Sequence, residues 1–160
     1  MRKIFSVILL LIILCGCKST AKITPVTRDI TFVCEANYYN ETYKCKCDVE
    51  KNGDTTIEFT YPADIEGLRF AFSKNGVSVN YRELQYISEK IVFENSVASL
   101  INEALSLTDT EVFEENDVFY TEGVNNEFEY KLQLGATGLP IKITTRPDIA
   151  QIVFKKVKIK

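Results

Sequence analysis

The chain has 160 residues, no histidine, no tryptophan and a formal net charge of −3. Imidazole is the commonest general base near neutral pH and the commonest zinc ligand, so its absence excludes the histidine-dependent serine and cysteine hydrolases. The acidic balance gives no electrostatic footprint for nucleic acid, and the length suits one hydrophobic core rather than two.

Met1-Arg2-Lys3 forms a short basic head, followed by an apolar run from Ile4 to Leu14 broken only by Ser6, and then by Cys15-Gly16-Cys17. The run is too brief to span a bilayer and reads as a secretion signal. With Leu14 three residues before Cys17 and the small Gly16 just before it, this ending resembles the lipobox of bacterial lipoproteins. Cys15 fits less well because its predecessor, Leu14, is bulky. The resemblance implies removal of residues 1–16, lipidation of Cys17 and anchoring at the extracytoplasmic face of the cell membrane, or at an outer membrane if the host has one. Each buried methylene of such an anchor contributes about 0.8 kcal/mol, and two or more chains hold a soluble domain at the surface. Cleavage would take away Arg2 and Lys3 but no acid, moving the formal charge from −3 to −5. Residues 17–27 are polar and carry Pro25, which suggests a lipidated tether; residues 28–160 then form a single domain.

From there the chain reads as strands with period-two alternation. Phe32, Cys34, Ala36 and Tyr38 form one apolar face, Tyr43, Cys45, Cys47 and Val49 the next, with a hairpin expected around Asn40-Glu41. Asn52-Gly53 and Asn75-Gly76 are strong turn signals, because both residue types tolerate positive φ. The first leads to Ile57, Phe59 and Tyr61; the second joins Leu68, Phe70 and Phe72 to Val77, Val79 and Tyr81. Asn95 to Leu107 changes period: Val97, Leu100, Ile101, Ala104 and Leu105 share one helical face, and Asn95 or Ser96 can cap it. Strand alternation then returns from Val118 to Thr121, turns at Asn125-Asn126, and continues through Phe128, Tyr130, Leu132 and Leu134. Gly135, Gly138 and Pro140 turn the chain into Ile141, Ile143 and Thr145. The last strand, Ile149 to Ile159, shifts phase after Phe154, which predicts a bulge near Lys155-Lys156.

The expected fold is mainly β with one central helix: a strongly curved antiparallel sheet of eight or nine strands, a half-barrel, wrapped round that helix. One short helix cannot fill such a hollow. Either bulky side chains close it or a ligand occupies it, with Phe59, Phe70, Phe72, Val79, Tyr81, Leu132 and Ile143 as the expected apolar lining.

Tyr61-Pro62, Gly67-Leu68-Arg69-Phe70, Tyr130 to Leu134, Thr137 to Ile143 and Ile152-Val153-Phe154, together with the lipobox and the central helix, resemble the LolA/LolB-like lipoprotein-carrier superfamily. They are also similar to small lipoproteins of Gram-positive gut bacteria with that fold. The resemblance implies a helix-plugged hollow of the kind that receives acyl chains in the carriers. Their charged gating residues have no match here, so transport of other lipoproteins is not implied.

No phosphate-loop, dinucleotide or nucleophile-elbow glycine pattern is present, and the carboxylates are scattered. The expectation is therefore a non-enzymatic protein without cofactor, metal or nucleic-acid partner. It would hold a lipid or other apolar ligand, or else act as an envelope interaction scaffold with a filled core. Cys34, Cys45 and Cys47 leave three readings open: buried free thiols, a disulfide from Cys34 to Cys47 or Cys45, or a metal site, the last disfavoured because no histidine completes a tetrahedral set.

Overall fold

The computed structural model describes residues 19–20, 23–90, 96–107, 110–125 and 128–160. Its strands are β1 (Ser19–Thr20), β2 (Ile30–Tyr38), β3 (Glu41–Val49), β4 (Thr55–Tyr61), β5 (Arg69–Ser73), β6 (Gly76–Tyr81) and β7 (Leu84–Ser88). The helix α1 (Val97–Ser106) follows, then β8 (Phe113–Glu115), β9 (Val118–Asn125), β10 (Phe128–Leu134), β11 (Pro140–Arg146) and β12 (Ala150–Ile159). All belong to one antiparallel sheet of 12 strands, ordered β1-β8-β9-β10-β11-β12-β2-β3-β4-β5-β6-β7. Two meanders are thus joined where β12 returns beside β2, and the sheet stays open, with β7 and β1 at its edges.

The expected fold class stands: mainly β, with one helix against one curved sheet. Curvature has local causes. The register slips between Lys44 and Cys45, between Gln133 and Leu134, and between Lys155 and Lys158. Each such irregularity bends a strand and adds twist. Lys156, inside the last of them, has φ 54°, so the phase shift read from Phe154 to Val157 is a true bulge. The inner face carries a core drawn from both meanders and the helix. The outer face carries ion pairs, among them Lys155–Glu35 at 2.7 Å, Lys131–Glu122 at 3.1 Å and Lys160–Glu50 at 2.9 Å. Such exposed pairs contribute little, about 0–1 kcal/mol each.

Ser96 caps the helix: its Oγ accepts from Ser99 N–H at 3.1 Å. Asn95, the other candidate, lies outside the described residues. Val97, Ala98, Leu100, Ile101, Ala104 and Leu105 are all buried, which matches the face read from their spacing.

Three turns differ from expectation in detail. In the first hairpin Tyr38 pairs with Glu41, so the turn is Tyr39-Asn40, not Asn40-Glu41. Both turn residues have positive φ, 49° and 66°, as a type I′ turn requires. The slip moves the partner of Cys34 from Cys47 to Cys45 but keeps every side chain on its face, because it spans two residues. In the β5–β6 hairpin Ser73 pairs with Gly76, leaving Lys74-Asn75 as the turn. Asn125 pairs with Phe128 and so belongs to the strand, while residues 126–127 lie outside the described residues. Strands β1, β7 and β8 were not expected; they are short, add to the edges of existing hairpins and have little alternation of their own.

Residues 23–27, at the end of the expected tether, lie against the fold. Val26 N–H donates to Gly138 O at 2.8 Å, and Thr27 is buried. No helix among the described residues is long and apolar enough to cross a membrane.

Gly76 combines φ 123° with a Cβ position 2.0 Å from Ser88 O. Gly76→Ala should therefore force the end of β7 away and lower stability by about 1–3 kcal/mol, read as a lower denaturant midpoint.

Candidate functional site

The inner face of the sheet is the site that the seven expected lining residues address. Phe59, Phe70 and Phe72 lie on β4 and β5, where Phe70 stands opposite both Ile57 and Val79. Their rings touch in series. Phe59 meets Phe70 edge-on at 6.0 Å, Phe70 stacks on Phe72 at 6.1 Å, and Tyr43 extends the row by meeting Phe59 at 6.0 Å. Leu132 and Ile143 face one another across β10 and β11. Between these two groups run β12, β2 and β3, so the lining residues belong to two separate wings of one apolar floor.

Five of the seven are deeply buried, with Leu132 and Ile143 at 0% and Phe59, Phe70 and Phe72 at 3–6% exposure. Val79 is half-buried and packs at the margin of the core. Tyr81 sits at the rim, opposite Leu84, and its hydroxyl donates to Asp64 O. Surface grooves of about 640 Å³ beside Tyr130 and Arg146 and about 480 Å³ beside Lys46 and Arg69 are lined by none of the seven. The hollow is closed at those residues, with α1 lying across the floor. Glu103 of the helix is close enough to Tyr130 on β10 to raise the phenol pKa, although burial is the larger cause.

Thr55, Thr121, Asn125 and Thr145 bring polar groups to the floor, and among the described residues Thr121 is the one whose buried side chain has no partner. Thr121 stands directly opposite Leu132, is 1% exposed, and its Oγ1 has no hydrogen-bond partner. A buried hydroxyl in that condition costs about 1–3 kcal/mol. The sequence offered a signal for it: a threonine on the inward side of a strand that pairs with an all-apolar neighbour.

The second cluster is sulfur. Cys34, Cys45 and Cys47 are free and buried, and their Sγ atoms lie within 4.8 Å of one another. Hydrogen bonds from Cys45 and then Cys47 favour the thiolate at Cys34 and lower its pKa against the effect of burial. At Cys47 burial comes first and raises it. Cys17 lies outside the described residues, so its surroundings are not described.

No family model matches the chain, and no curated protein matches it. Among solved structures, it is similar to an uncharacterized conserved protein from Thermus thermophilus, with TM-score 0.57 and 12% identity over 84% of this chain and 80% of that one. It is also similar to a LolA-superfamily protein from Nitrosomonas europaea, with TM-score 0.50 and 8% identity over 87% and 89%. At these identities the likeness is one of fold, and that fold is LolA-like.

Phe70 is held between two rings, so Phe70→Ala should leave a cavity and destabilise the protein by about 3–5 kcal/mol. Chemical denaturation should show a lower midpoint at unchanged slope.

Proposed function

We propose that this protein is a non-enzymatic, membrane-anchored extracytoplasmic lipoprotein whose domain holds a lipid tail or other apolar ligand between α1 and the inner face of the sheet. The observation that carries the reading is the Thr121 hydroxyl, buried on the inner face opposite Leu132 without a hydrogen-bond partner. A ligand with an ester or acid group next to its chain would give that hydroxyl a partner and cover the floor around it. The LolA-like fold supports a sheet-and-helix hollow of this shape.

Binding would require the helix to give way, since the hollow is closed at Phe59, Phe70, Phe72, Leu132 and Ile143. The energies permit an exchange. Val97, Leu100, Ile101 and Leu105 hold the helix down at about 1.5–3 kcal/mol per fully buried side chain. A long acyl chain brings about 0.8 kcal/mol per methylene. The two contributions are comparable, so a ligand could replace the helix face without unfolding the sheet.

A second reading, a docking scaffold with no ligand, is favoured by β7. Leu84 and Ile87 on this edge strand are 74% and 71% exposed, and no described strand pairs with its outer edge.

Anchoring is tested at Cys17. Cys17→Ser should abolish incorporation of labelled fatty acid and leave an uncleaved chain; continued labelling would move the anchor elsewhere. For the ligand, cells producing the native lipoprotein can be fed a photoreactive fatty acid and irradiated. Adducts should map to peptides carrying Thr121, Leu132 or Ile143. Adducts confined to Cys17 would overturn the ligand reading and leave docking through β7.

A further inference from the structure

We propose that Cys34, Cys45 and Cys47 form a three-sulfur site for a soft monovalent cation, copper(I). The site is independent of the apolar-ligand reading and uses none of its residues. Cys45 and Cys47 are two apart on β3 and share its inner face, while Cys34 is the direct partner of Cys45 on β2. Two strands therefore deliver three sulfurs to one point. Cys45 Sγ and Cys47 Sγ are 3.9 Å apart, and all three Sγ atoms fall within 4.8 Å. A metal–sulfur bond of about 2.3 Å, the value for zinc thiolates, puts three sulfurs of a trigonal plane about 4.0 Å apart. The trio is close to that size before any ion arrives.

The choice of ion follows from what surrounds the sulfurs. Zinc in a structural site takes four ligands. Among the described residues no fourth cysteine, aspartate or glutamate joins the group, and the chain has no histidine. Water is a poor substitute, because the three cysteines are 1–4% exposed. Their neighbours across the sheet are Phe32, Phe154, Phe59 and Ile57, which offer no oxygen or nitrogen side-chain ligand. Sulfur-only, low-coordinate sites select soft cations such as copper(I) over harder divalent ones. Cysteine ligates as the thiolate, so three protons leave as one copper(I) enters, and uptake weakens as pH falls.

The test uses the full chain with Cys15→Ser and Cys17→Ser, so that only the three core sulfurs remain, purified reduced and without oxygen. Copper(I) is titrated against a chromophoric copper(I) chelator. The expected result is uptake of one equivalent per chain, with X-ray absorption fitted by three sulfurs at about 2.3 Å. Cys45→Ser, and separately Cys47→Val, should lose that uptake while keeping the β-type circular dichroism. Uptake unchanged in those variants would overturn the site, as would no uptake by the parent protein. Should the variants fail to fold, the parent's absorption spectrum decides alone: fewer than three sulfurs around copper refutes the proposal.

Discussion

The pairing of β12 with β2 is the constraint on which the remaining architecture depends. It brings together the first and last long strands of the chain and turns two meanders into one sheet. Its register runs from Ala150 opposite Tyr38 to Ile159 opposite Ile30, with a single slip between Lys155 and Lys158. Contacts so distant in sequence cost loop-closure entropy before they return any stability. What repays it is the apolar floor: Ile152 against Ala36 and Phe154 against Cys34 lie at its centre. Without that seam, each meander would face water with half a core.

An open, curved sheet has a filling problem that a sandwich avoids, because only one layer covers its inner face. Here α1 and the bulky side chains of both wings cover it together. The arrangement is closed, yet the helix that covers it is an element of 10 residues held mainly by apolar contact. Apolar contact is non-directional, so another apolar surface can replace it. Among the described residues, Thr121 marks the place on the floor where a replacement could improve on what is there.

The cysteine cluster shows how a small change of turn alters pairing without altering packing. A two-residue slip in the first hairpin leaves Cys34, Cys45 and Cys47 on the inner face, so their burial does not depend on it. Which sulfur stands opposite which does. Cys34 stands opposite Cys45 and diagonal to Cys47, where the expected turn would have exchanged the two, so the three sulfurs meet in either register.

The sequence by itself determined the elements and their faces. Period-two alternation marked the strands from Phe32 to Tyr38 and from Phe128 to Leu134. The i, i+3, i+4 spacing from Val97 to Leu105 marked the helix, and the broken phase after Phe154 marked the bulge. These are local properties, set by where consecutive side chains must point. Tertiary structure alone decided that Tyr39-Asn40 rather than Asn40-Glu41 makes the turn, and that edge strands β1, β7 and β8 form at all. It also decided that Tyr81 goes to the rim while Phe59, Phe70 and Phe72 touch in a row, that Thr121 is left unpartnered, and which cysteine stands opposite Cys34. Those outcomes depend on which strands become neighbours and in what register, and that is fixed only when distant segments compete to bury the same surface.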